Sequence, residues 1–163
     1  TDPPHVYTVV KELPLPEVTP VQKLAFAILA LAEVYHEPRY QKWANKWLSG
    51  VDRGPIPAYE IEQGAAQRIE SAENLTNLEA FGYVSAEDRH VTEKKADDAE
   101  RVIAVARAAI LFASGDSDSH SEVAKLLAHA TVGLSHAGKP LDLSAIAERA
   151  VKAVAGLRTS DSL

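Results

Sequence analysis

From Ala99 to Ala113 the chain reads AERVIAVARAAILFA, and only Glu100, Arg101 and Arg107 in it carry charge. On a helical period Glu100 and Arg107 fall at nearly the same angle, with Arg101 about 100° away. The rest of the circumference is Ala, Val, Ile, Leu and Phe. A helix apolar around most of its surface needs other helices around it. This stretch therefore predicts the central helix of an all-α domain.

At 163 residues the chain is long enough to bury an ordinary core as a single domain. It holds no Cys, which excludes disulfides, thiolate metal sites and a Cys nucleophile. No apolar run approaches the roughly 20 residues that span a bilayer. The opening TDPPHVYTVV lacks the basic and apolar regions of a signal peptide, and with no Met in the chain an initiator trimmed ahead of the small Thr1 is expected. The expected location is cytoplasmic. The formal charge is −6 and no Lys/Arg block stands out. That argues against nucleic acid or an anionic membrane as partner, and leaves a basic or neutral protein, or a cation.

Residues 1–18 hold Pro3, Pro4, Pro14 and Pro16, so an extended arm is expected, lying over the helices or over a second subunit. Thr19, Pro20 and Gln22 spell an N-cap, a first-turn proline and a capping box. Leu24, Ala25, Ile28, Leu31, Ala32 and Tyr35 then recur at helical spacing up to Pro38, which ends or bends the helix. A second helix over 38–48 carries Tyr40, Trp43, Ala44 and Trp47 on one face and stops at Ser49-Gly50. Helical pattern resumes near Ala58 and runs to about Phe81, weakened at Gly64 and Asn74, so that one helix or two are expected here. Gly82 stops it and Ser85 caps a long helix from 86 to about 113, which Ser114-Gly115 ends. Further helices are expected over 120–137 and after Asp142 or Ser144. The bundle domain then covers 19–157, with a polar tail over 158–163. The expectation is five to seven helices, mostly up-and-down, with no sheet.

Two Glu-x-x-His motifs, Glu33 to His36 and Glu87 to His90, are the sharpest chemical pattern. On a helix, positions three apart share a face, so a carboxylate and an imidazole can hold one metal. Bundle di-metal proteins combine two such motifs with two further carboxylates, for which Glu62, Glu70 and Glu122 are candidates and Fe, Mn or Zn the implied metal. The order differs from the ferritin-like one, because here a Glu-x-x-His comes first. The alternating Asp116, Asp118, His120 and Glu122 lack the Gly and terminal Glu of a calcium loop and read as a solvated helix start. His129 and His136, seven apart, share a face of the expected fifth helix, with no acid placed to orient them. Tyr35, Arg39, Tyr40, Trp43, Trp47, Asp52 and Arg53 gather aromatic and guanidinium groups in a short span. Such a span reads as core packing or as a binding face with Trp and Tyr anchors.

The run Tyr40-Gln-Lys-Trp43-Ala-Asn-Lys-Trp47-Leu-Ser-Gly-Val-Asp52-Arg53, followed by Ala-rich helices such as Ala106-Arg-Ala-Ala109 and Leu127-Ala-His-Ala-Thr-Val, resembles bacterial all-α, alanine-rich proteins. Some of these are immunity-type proteins of polymorphic toxin systems. The resemblance implies a non-enzymatic protein that binds another protein, and it carries over no catalytic residue. The leading expectation is a non-catalytic binding protein that makes contact through residues 35–53. The alternatives are a metalloprotein built on Glu33, His36, Glu87 and His90, and a homo-oligomer whose N-terminal arm is exchanged between protomers.

Overall fold

A computed structural model describes residues 17–116, 119–132, 134–136 and 139–155, with the single positions Pro4, Thr8 and Lys11. The proposed arm, Asp118, Gly138 and the tail otherwise lie outside the described residues, as does the side chain of His136. Among the described residues six helices form a bundle: α1 (Pro20–Ala32), α2 (Pro38–Leu48), α3 (Pro55–Ala80), α4 (Ala86–Ser114), α5 (His120–Thr131) and α6 (Leu143–Val154). The all-α class is as the sequence predicts. No helix among the described residues is long and apolar enough to cross a membrane.

Local sequence sets most of the boundaries. Thr19 accepts from the Gln22 amide, and the Gln22 side chain accepts from the Thr19 amide, closing the predicted capping box. Ser85 and Asp142 cap α4 and α6 in the same way, each accepting from the amide three residues on. Gly50, Gly82 and Gly115 all take positive φ where a helix stops. Pro55 and Pro57 fall in the first turn of α3, where a missing amide hydrogen costs nothing, so the helix starts ahead of Ala58. It runs through Gly64 and Asn74 unbroken.

Three boundaries differ from expectation for non-local reasons. Helix α1 ends at Ala32 rather than near Pro38, because the side-chain Nε2 of Gln41 on α2 donates to both Ala32 O and Tyr35 O at 2.9 Å. Those bonds satisfy the carbonyls that another turn of helix would have used. Helix α5 ends at Thr131, not 137, because Arg101 of α4 donates to Ala130 O and Val132 O. Beyond it, β1 (Ser135–His136) pairs antiparallel with β2 (Lys139–Pro140), a two-residue ladder where the sequence pattern predicts helix, loop and no sheet. His129 and His136 consequently do not share a helix face.

The core has two centres. The predicted stretch of α4 buries Ala99, Val102, Ala104, Val105, Ala106, Ala108 and Ala109. Helix α1 is equally enclosed, burying Leu24, Ala25 and the five residues Ala27–Leu31, and it packs against α2, α4, α5 and α6. The longest contact joins α3 to α4, through Ala58, Ala65 and Ala72 at seven-residue intervals on α3. Small side chains at that spacing form one stripe and let the two axes approach closely. Arg107 on α4 closes the same interface by donating to Glu62 at 2.7 Å.

Candidate functional site

The aromatic cluster falls inside the bundle. Tyr40 and Trp47 are fully buried, and Trp43 and Tyr35 nearly so. The Tyr35 and Tyr40 rings meet edge to face at 5.5 Å, Tyr40 lies 5.6 Å from Trp43, and Trp47 packs on Phe112 of α4 at 6.2 Å. Burial pushes the Tyr40 phenol well above the usual range, and the Tyr35 phenol rises for the same main reason. The expectation of a contact face here is corrected: the apolar face of α2 is turned to α1 and α4, so these rings are not available to a partner.

Asp52 and Arg53 shape the turn after α2. Arg53 Nε donates to Trp47 O at 2.8 Å and Nη2 to Leu48 O at 3.3 Å, with the guanidinium 4.8 Å above the Trp47 ring. That closes the C-terminus of α2 with a cation, as the helix dipole favours. Burial lowers the Arg53 pKa. Asp52 accepts from the Gly54 amide at 3.0 Å. Of the predicted contact residues Arg39 alone is well exposed, on the rim of a cleft of about 380 Å³ between α2 and α3. Tyr35 and Val102 also line that cleft, and Arg68 and Glu37 form an ion pair at its edge.

The two Glu-x-x-His motifs do not meet. Glu33 is the C-cap of α1 and pairs with Arg149 of α6 at 2.7 Å, and His36 lies in the α1–α2 connection, so this motif is not on a helix. Glu87 and His90 are exposed on the first turns of α4. Of the candidate extra carboxylates, Glu62 is taken by Arg107, Glu70 is exposed on α3 and Glu122 lies in the first turn of α5. Among the described residues no three His, Asp or Glu side chains come together as a metal-binding set.

A different region stands out, at the far end of the α3–α4 hairpin. No residue from 73 to 98 is buried. By helical rise the hairpin end therefore lies roughly 12 Å beyond Ala72 on α3 and roughly 20 Å beyond Ala99 on α4. At that end Phe81 is 77 % exposed, Tyr83 76 %, Val91 50 % and Leu78 43 %.

This tip is firmly built. The Tyr83 amide donates to Leu78 O at 3.0 Å and the Gly82 amide to Glu79 O at 2.8 Å. With Gly82 at φ +79° these are the paired bonds of a Schellman ending. Ser85 starts α4 two residues after Tyr83. Arg89 of α4 meets Glu79 of α3 at 2.7 Å and so ties the two helices together just behind the turn. The exposed aromatic side chains thus stand on a fixed backbone. The sequence signal was present in Phe81-Gly82-Tyr83, two aromatics flanking a helix stop where polar residues are the norm. We compared the chain with protein-family models, curated proteins and solved structures, and none matches it.

Proposed function

We propose that the chain is a non-catalytic helical protein that acts by protein–protein contact, in the manner the immunity-type resemblance implies, within the cytoplasm. The contact surface in this reading is the tip of the α3–α4 hairpin, not residues 35–53. One observation carries it: Phe81 and Tyr83 are more than three-quarters exposed on a turn whose backbone is hydrogen-bonded into the end of α3. Large aromatic side chains are common anchors of protein interfaces, and a turn already hydrogen-bonded spares the backbone ordering that a flexible loop would lose on binding. The proximal half of the hairpin supplies the packing against the bundle, and the distal half supplies reach.

The test uses the immobilised chain and its Phe81→Ser/Tyr83→Ser variant against lysate of the source cells. The expected result is a protein retained by the first and lost by the second, with the two chains giving the same circular-dichroism melt. A partner held equally by both moves the contact elsewhere, and retention by neither overturns the reading.

A further inference from the structure

The tip carries a sign as well as an apolar surface. Between Glu73 and Glu93 the chain holds five carboxylates and one guanidinium, that of Arg89. Arg89 is engaged by Glu79 at 2.7 Å and Glu93 at 3.7 Å. Glu73, Glu87 and Asp88 form no ion pair among the described residues, and the Asp88 carboxylate accepts only a short-range bond from Ser85 Oγ. Further along α4, Lys94 is drawn to Asp98. Glu73 on α3 and Glu87 and Asp88 at the start of α4 are therefore unneutralised among the described residues, with the exposed Lys95 an unpaired cation farther down α4.

Resting on the contact reading above, we infer that the occupant of the tip is a basic amphipathic helix of a partner protein. Its apolar stripe covers Phe81, Tyr83 and Leu78, and its Lys/Arg flanks face Glu73, Glu87 and Asp88. An apolar stripe bordered by cations is the complement of an apolar spot bordered by carboxylates. A second copy of this chain fits worse, since it brings −6 of its own. An anionic lipid surface fits worse for the same reason of sign. The charge pattern also draws a basic partner in over distance, which raises the association rate at low salt.

The experiment titrates the isotope-labelled full chain with two synthetic 14-residue helical peptides, followed by amide NMR shifts. One carries a Leu stripe with Lys flanks and the other the same stripe with Glu flanks. The expected result is that the Leu/Lys peptide shifts the amides of residues 78–93 and the Leu/Glu peptide does not. Binding then weakens at least tenfold in Phe81→Ser/Tyr83→Ser, severalfold in Glu87→Lys/Asp88→Lys, and steadily as salt rises. The milder Glu87→Gln/Asp88→Asn serves if the reversal does not fold.

Equal binding of both peptides at 78–93 overturns the charge assignment and leaves the contact reading standing. Shifts centred elsewhere, or no shift at the tip with either peptide, overturn the inference. A third arm adds phosphatidylcholine vesicles with and without phosphatidylserine. Tighter binding to either vesicle than to the Leu/Lys peptide overturns the inference and the protein-contact reading together.

Discussion

The phenol of Tyr40 donates to the carbonyl of Ile28, 2.9 Å away and in the middle of the preceding helix. It is a fully buried polar bond, and with the two that Gln41 makes it fixes α2 against α1. Loss of the hydroxyl in Tyr40→Phe leaves the ring packing intact and is expected to lower stability by about 0.5–1.5 kcal/mol at neutral pH. Urea unfolding measures it.

The same phenol makes stability fall in alkali. Its folded-state pKa is raised above the ordinary 10.0 by burial. Above pH 10 the unfolded chain gives up this proton and the folded chain keeps it, so the unfolded state gains. Stability is fully present below about pH 10 and then declines by up to about 1.4 kcal/mol per pH unit. Tyr35 shifts in the same direction. A pH series of urea midpoints should show a shallower decline above pH 10 in Tyr40→Phe than in the parent.

Trp47 and Phe81 separate core from surface. Trp47→Ala opens a cavity beside Phe112 and is expected to cost about 3–5 kcal/mol, enough to unfold a marginal domain. Phe81→Ser changes a side chain already in water and should leave the melting curve where it is. Circular dichroism of both variants checks the pair, and a stable Trp47→Ala protein would contradict the packing described here.

Two glycines should respond to alanine with opposite signs. Gly64 sits inside α3, and a Cβ added there meets no atom within 4 Å. Gly64→Ala should stabilise by about 0.5–1 kcal/mol through helix propensity. Gly115 ends α4 at φ +69°. Gly115→Ala forces an L-residue into the left-handed region and should destabilise by about 1–2 kcal/mol. Thermal melts of the two single variants decide both.

The alanine stripe of α3 predicts intolerance of bulk. Ala65→Leu places three more carbons between α3 and α4 and should cost about 1–3 kcal/mol by overpacking. The exposed neighbour Ala66 supplies the control. Ala66→Leu should leave the melting temperature nearly unchanged.

What could be read in advance was whatever one segment decides alone. Thr19 with Gln22, Ser85, and the glycines at 50, 82 and 115 mark helix ends through contacts a few residues long, and each was legible. Where ends depend on a distant side chain, pattern alone misplaces them. Gln41 reaches back to close α1, and Arg101 reaches across to close α5, 29 residues on. Glu33 looked like half of a metal motif because its partner, Arg149, lies 116 residues away. The aromatic face of α2 was visible, but a helix stripe reads the same whether a neighbouring helix or a partner covers it. The tip was missed for the opposite reason: nothing periodic marks an aromatic pair in a turn.

The Schellman turn and the bridge behind it have an evolutionary consequence. No buried residue lies between Ala72 on one helix and Ala99 on the other, so substitutions at Phe81, Tyr83 or Val91 are expected to leave the melting temperature where it is. Sequence there can drift one residue at a time without first acquiring compensating stability. The bundle is then an unchanging handle, whatever the tip comes to carry.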